Sequence, residues 1–197
     1  MPTGDGVGRG KSGPRLRAPD RVLTPRLQLV RPTPADAEPI FSLYASDPEV
    51  TRFLSWPRHQ SIDDTHRFLA FSEDEWSRWP AGPYLIRSRD DGRLMGGTGF
   101  SFESAETAST GYVLARSEWG RGYATEALRA IVDLAPGLGV VRLYAFCHHA
   151  HHASAHVLEK CGFVRQDSTR RMEFPNHTPG TLQPALCFER FVTAGAV

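Results

Sequence analysis

Two groups of residues have the types and spacing for chemistry. The first is Trp119-Gly120-Arg121-Gly122, followed by Tyr123, Ala124 and Thr125. Glycines just before a helix let the backbone come close to a ligand, and the first helical turn leaves N–H groups unpaired. The positive end of the helix macrodipole points the same way. Together these suit an anion, above all a phosphate or pyrophosphate. A plain turn ahead of a packing helix would read the same. The second group is His148, His149, His151, His152 and His156 beside Cys147. His152 and His156 stand four apart, which puts two ligands on one helix face, as a zinc site requires. No Cys-x-x-Cys or His-Glu-x-x-His pattern accompanies them. Exposed or ligand-contacting histidines are therefore the reading, and no metal is expected.

The elements that must carry these residues follow from pattern. Gly111 to Leu114 has strand character, and Ala124, Ala127, Leu128, Ile131 and Ala135 recur at helical spacing after the loop. Pro136-Gly137 stops that helix. Val140 to Cys147 is a β-rich run, Ser154 to Cys161 a short helix with Gly162 at its C-terminal stop, and Phe163 to Arg170 and Ala185 to Val192 are strands. Pro175 to Pro184 is a loop. Upstream, Leu27 and Leu29 mark a strand over Thr24 to Arg31. Thr33 caps a helix that begins at Pro34 and ends at Asp47-Pro48, and Ser61 caps one over Ile62 to Trp79. Asp90-Asp91-Gly92 is a hairpin signal between strands Tyr84 to Arg89 and Leu94 to Phe102. Thr107 to Leu114 completes a meander.

Composition bounds the rest. The chain has 197 residues, 40% of them hydrophobic, enough for one full core. Lys plus Arg is 23 and Asp plus Glu is 22, giving a net charge of +1. Neither nucleic acid nor a membrane surface is called for. Met1 to Asp20 is basic and rich in Gly and Pro, without an apolar core of its own, so it reads as a disordered arm and not as a secretory signal. Residues 21–197 form the domain. No run approaches the roughly 18 apolar residues of a membrane span. Three cysteines, an odd and small number, fit a reducing cytoplasm. A dinucleotide-binding unit is excluded, because the third glycine position is Thr125 and no βαβ unit opens the chain.

The run Gly111 to Ala127, followed by Ser154-Ala155-His156-Val157-Leu158-Glu159-Lys160-Cys161-Gly162-Phe163, resembles the GNAT superfamily of acetyl-CoA-dependent N-acetyltransferases. It is most similar to the branch that acetylates ribosomal-protein N-termini. TPRLQLVRP from Thr24, SDPEV from Ser46 and DGRLMGGTGF from Asp91 fit that branch too. The resemblance spans about residues 23 to 192 and implies one α+β domain: a twisted, largely antiparallel sheet of about six or seven strands, splayed at the cofactor, with helices on both faces.

What the resemblance implies is direct transfer of an acetyl group from acetyl-CoA to a primary amine in a ternary complex. The amine is a protein N-terminus or a small molecule, and a homodimer is compatible with it. The pyrophosphate falls to Trp119, Gly120, Arg121, Gly122, Tyr123, Ala124 and Thr125. The pantetheine arm pairs with Tyr112, Val113 and Leu114, and one N–H there stabilises the oxyanion. His151 stands where the family has a cofactor-side Asn. Ser154 matches the residue that protonates the leaving thiolate, although it also suits a helix cap. The strand position that often carries a basic Glu is Ser109. Among Glu103, Glu106, His151, Glu173 and His177, Glu103 is ranked first as the base. An α-amine has a pKa of about 7.7–8.0 and a lysine about 10.4, so an α-amine needs less help. The alternative is a non-catalytic acyl-CoA-binding sensor or scaffold.

Overall fold

Leu27 and Leu29, both fully buried, alternate with half-exposed Gln28 and Val30 and set the face of the first hairpin. The computed structural model describes residues 16–192. The strands are β1 (Arg21–Leu23), β2 (Leu27–Val30), β3 (Pro83–Ser88), β4 (Leu94–Phe102), β5 (Thr107–Leu114), β6 (Arg142–His148), β7 (Val164–Glu173) and β8 (Leu182–Phe191). Among the described residues they form one sheet in the order β1-β2-β3-β4-β5-β6-β8-β7. Each neighbouring pair is antiparallel except β5 and β6. The sheet has eight strands, not six or seven. The one not expected is β1, three residues too short to show a period.

Of the arm expected over residues 1–20, positions 1–15 lie outside the described residues. Arg17, Ala18 and Pro19 are tied to the domain. Ala18 is buried and its N–H donates to the Pro80 carbonyl at 2.8 Å, while the Tyr84 hydroxyl donates to the Pro19 carbonyl at 2.6 Å.

Helices cover both faces. On one side are α1 (Ala37–Ile40, continued by a wider turn through Ala45), α2 (Pro48–Thr51) and α3 (Ile62–Arg78). Their Ile40, Tyr44 and Leu69 pack on Leu85, Leu94 and Ala115. On the other side, α4 (Tyr123–Leu134) and α5 (His152–Lys160) set Leu128, Ile131 and Leu158 against Met95, Leu143 and Phe188. Ser61 caps α3 as its sequence predicts, with the Asp64 carboxylate accepting from the Ser61 N–H at 3.0 Å. The helical run from Pro34 stops at Ala45, just before Asp47-Pro48, as the sequence predicts. The same pair also begins α2, with Asp47 accepting from the Glu49 N–H at 2.8 Å and Pro48 in the position where its missing N–H costs nothing.

The β5–β6 junction decides where a ligand can sit. Thr107, Ala108 and Ser109 pair in parallel with Arg142, Leu143 and Tyr144, and the pairing stops there. Beyond it, β5 stays on β4 as far as Leu114, and β6 stays on β8 as far as His148. The two strands therefore part in a V. Close approach of β4 and β5 holds one arm of it. A β-carbon on Gly96 would lie 2.0 Å from the Val113 carbonyl oxygen, so only glycine fits there.

Candidate active site

The gap between β5 and β6 has polar backbone on one flank. Ala115 donates to the Met95 carbonyl at 2.8 Å, and antiparallel alternation gives Val113 the same orientation toward Gly97. The N–H and C=O of Tyr112 and Leu114 consequently turn to the gap. The Leu114 carbonyl is taken by the Trp119 indole N–H at 2.8 Å. Both strand ends open onto a cavity of about 850 Å³.

At the end of β5, the chain turns through Trp119–Gly122 into α4. Gly122 precedes the helix with φ +79°, a left-handed conformation that glycine adopts without strain. Among the described residues, no acceptor is found for the N–H groups of Gly120, Arg121, Gly122, Tyr123, Ala124 and Thr125, and the first ordinary helical bond comes from Glu126 to the Gly122 carbonyl at 3.1 Å. Arg121 and Trp119 are exposed beside them. This is the arrangement that the sequence predicts for an anion cradle.

A network that local pattern does not reveal steadies the cradle. The Glu126 carboxylate accepts from the Thr24 hydroxyl at 2.6 Å, the Arg26 N–H at 2.8 Å and the Arg26 guanidinium at 2.7 Å. Arg26 also donates to the Arg121 carbonyl at 3.0 Å and lies 4.5 Å over the Tyr123 ring. Burial pushes the Glu126 carboxyl up, but these hydrogen bonds outweigh it and hold it below the ordinary glutamate value. Arg26 lies 95 residues before Arg121, so only the β1–β2 hairpin's place under α4 could reveal it.

Ser154 is not a cap. It occupies the third position of α5, and its hydroxyl meets the Tyr112 hydroxyl at 3.1 Å across the gap. Burial holds the Tyr112 phenol well above its ordinary value, so it keeps its proton. Cys147 lies next to this pair. Burial pushes its thiol up to about 11, and the neighbouring Ser154 hydroxyl opposes that only in part.

The other flank of the cavity is aromatic. The Phe53 ring stacks on His148 at 4.9 Å, His151 at 5.0 Å and His177 at 5.3 Å. His151, expected on the cofactor side, thus presents its ring to Phe53. Burial lowers its pKa below the ordinary histidine value, and the nearby His148 and His152 lower it further. The His151 ring has no hydrogen-bond partner among the described residues, whereas His148 is engaged with Gln183 at 2.8 Å and with the Ala150 N–H at 3.1 Å. Asn176 stitches two segments of the wall together. Its amide donates to the carbonyls of Thr51 and Trp56 and accepts from the Arg58 N–H at 2.6 Å.

Glu103 does not reach this site. It lies exposed in the β4–β5 turn, at the closed end of the V, and is not among the cavity-lining residues. The sequence puts it at a strand end but not at which end of the gap. Glu106 and Glu173 are exposed, and the Glu173 carboxylate accepts from the Gly180 N–H at 3.0 Å. Among the described residues no group of three or more His, Cys, Asp or Glu is placed to hold a metal ion, and no helix is long and apolar enough to cross a membrane.

The family model described as an acetyltransferase (GNAT) domain matches residues 26–164. The uncharacterized N-acetyltransferase YoaA of Bacillus subtilis (strain 168) is 31% identical over 79% of this chain and 89% of its own. Among solved structures, the ribosomal L7/L12 alpha-N-protein acetyltransferase RimL in complex with coenzyme A superposes with a TM-score of 0.75 at 19% identity, covering 86% of this chain and 96% of that one. The microcin C7 self-immunity acetyltransferase MccE, in complex with acetyl-CoA and AMP, gives 0.74 at 18% identity over 86% and 94%.

Proposed function

The chain belongs to the GNAT acetyltransferase family, and from that premise we propose that it transfers an acetyl group from acetyl-CoA to a primary amine held in the aromatic half of the cavity. The observation that carries this reading is the parting of β5 and β6 directly beside the N–H groups ahead of α4. Acetyl-CoA supplies the acyl group already activated as a thioester. Its pyrophosphate suits the unpaired N–H groups of residues 120–125, with Arg121 adding charge, and Glu126 with Arg26 keeps that loop in place. The pantetheine amides suit the turned-out N–H and C=O of Tyr112 and the N–H of Leu114, whose carbonyl is taken by Trp119. The Tyr112 or Leu114 N–H donates to the oxygen that gains charge when the amine attacks.

Two proton positions remain. Ser154 holds a proton at its hydroxyl for the departing sulfur and takes one back from solvent afterwards, while the Tyr112 hydroxyl, donating to the Ser154 oxygen, orients it. In place of Glu103, the neutral His151 imidazole takes the proton that the amine loses, with Phe53 fixing its ring plane. Release of free thiol from acetyl-CoA over an amine and peptide panel, with products identified by mass spectrometry, tests the whole reading. A non-catalytic sensor would bind acetyl-CoA and release no thiol with any acceptor.

Two of the assignments have separate tests. Ser154→Ala is expected to lower kcat by about tenfold or more while the KM for acetyl-CoA stays within about threefold. An unchanged kcat would leave the hydroxyl with a packing role. For His151, the imidazole works as a base only when neutral. As its pKa lies below 6.5, kcat/KM should hold its base contribution at pH 7 and lose it as pH falls through that lowered value. His151→Gln should remove this acid limb and lower kcat/KM at pH 8 by about a hundredfold. An acid limb that survives in the variant would assign it to another group.

A further inference from the structure

We infer that the acceptor is a small monoamine carried on an aromatic or similarly flat apolar body, and not a polycation; this rests on the acetyl-transfer reading and narrows its substrate class. The acceptor half of the cavity is walled by Phe53, Trp56, Phe68, Phe71, Met172 and Phe174. They come from three separate segments: the chain after α2, α3 and the end of β7. Phe71 is 47% exposed on a helix whose other exposed positions are largely charged or polar, so its ring gains little from the fold itself. A lining rich in flat rings buries a flat apolar guest with the least desolvation of polar groups.

The charges on this wall argue against a second ammonium. Asp64 is the one carboxylate among the described lining residues. Its oxygens already accept from the Gln60 N–H at 2.7 Å and the Ser61 N–H at 3.0 Å, and it pairs with Arg67. The other charged lining residues are the cations Arg58 and Arg67. Among the described residues the Arg58 guanidinium forms no ion pair, so it adds an unopposed positive charge to the lining. A polyamine or aminoglycoside would bring several ammonium groups into a site with no free counter-charge, and buried charge without a partner is costly. A monoamine enters with one ammonium, which is neutralised before attack.

The test uses the full chain and four acceptors: tryptamine, spermidine, kanamycin and a short peptide with an N-terminal serine. The expected kcat/KM for tryptamine is at least about tenfold above each of the others. Phe71→Glu, an exposed change, should lower kcat/KM for tryptamine by about tenfold or more, mainly through KM, and narrow the gap to spermidine. The Kd for acetyl-CoA should stay unchanged in that variant and reports that it is folded. Preference for spermidine, kanamycin or the peptide overturns the inference, as does an unaltered tryptamine KM in Phe71→Glu. Binding of acetyl-CoA without turnover of tryptamine also overturns it. Absence of acetyl-CoA binding in the unsubstituted protein overturns the acetyl-transfer reading beneath it.

Discussion

Gly122→Asp is expected to weaken acetyl-CoA binding by about a hundredfold or more while leaving the melting temperature nearly unchanged. Gly122 stands immediately before α4 at φ +79°. A side chain there lies in the left-handed region, which costs a non-glycine residue roughly 1–2 kcal/mol, least for Asp and Asn. Against that, a carboxylate at this position can accept from the free N–H groups of the first turn, an interaction typically worth about 1 kcal/mol. The two contributions roughly cancel in stability. They do not cancel in binding, because the carboxylate occupies the donors that the pyrophosphate needs and repels its charge. Calorimetry with acetyl-CoA and thermal melts of the same sample check both halves. Gly122→Ala serves as control, carrying the backbone strain without the charge. A β-carbon there would meet nothing closer than the Arg26 guanidinium at 3.6 Å, so its binding loss should be much smaller. Micromolar binding by Gly122→Asp would remove this loop from the cofactor site.

Gly96→Ala should be the most damaging methyl in the protein. Its β-carbon would fall 2.0 Å from the Val113 carbonyl oxygen and 2.9 Å from the Leu114 Cα. These are backbone atoms in the middle of a sheet, so no side-chain rotation relieves the contact. Strands β4 and β5 must separate, at a cost of about 3 kcal/mol or more. Gly97, the next residue, is the internal comparison. A β-carbon there would sit 3.5 Å from the Tyr44 hydroxyl and from the Tyr84 carbonyl oxygen, which is ordinary contact. Gly97→Ala should therefore lose no more than about 1 kcal/mol, the usual size of a strand propensity change. Urea denaturation of the two variants side by side measures the difference. Equal losses would mean that β4 lacks flexibility generally and not at this one approach. Because Val113 and Leu114 border the gap, Gly96→Ala should also depress acetyl-CoA binding in whatever fraction stays folded.

Most elements are legible in the sequence because their signals are local. The helical period from Ala124 to Ile131 and the Ser61 cap depend on residues within a turn or two of one another, and both stand in the structure as expected. The loop at Trp119–Gly122 is legible for the same reason. What pattern cannot supply is contact across the fold. Tyr112 and Ser154 are 42 residues apart, and their meeting depends on where α5 crosses the gap. Arg26 and Glu126 are separated by 100 residues, and Asn176 reaches back 120 residues to Trp56. Glu103 ranks first in sequence and fails in space because the sequence does not say which end of β5 stays paired. The resemblance puts His151 on the cofactor side, whereas the structure stacks its ring on Phe53. That stack joins residues from distant parts of the chain and leaves no periodic trace.

The V between β5 and β6 has one more consequence, for association. An unpaired strand edge is a template for another chain, and proteins usually shield it. Here the two inner edges face each other inside a single sheet, flanked by α5 and the Phe53 segment. The outer edges are protected differently: β1 is only three residues long, and β7 carries Arg165, Asp167, Arg170 and Arg171 with an irregularity in its pairing. The free backbone groups of Tyr112 thus lie inside the sheet and not at its rim, where a short β1 and a charged, irregular β7 form the outer edges.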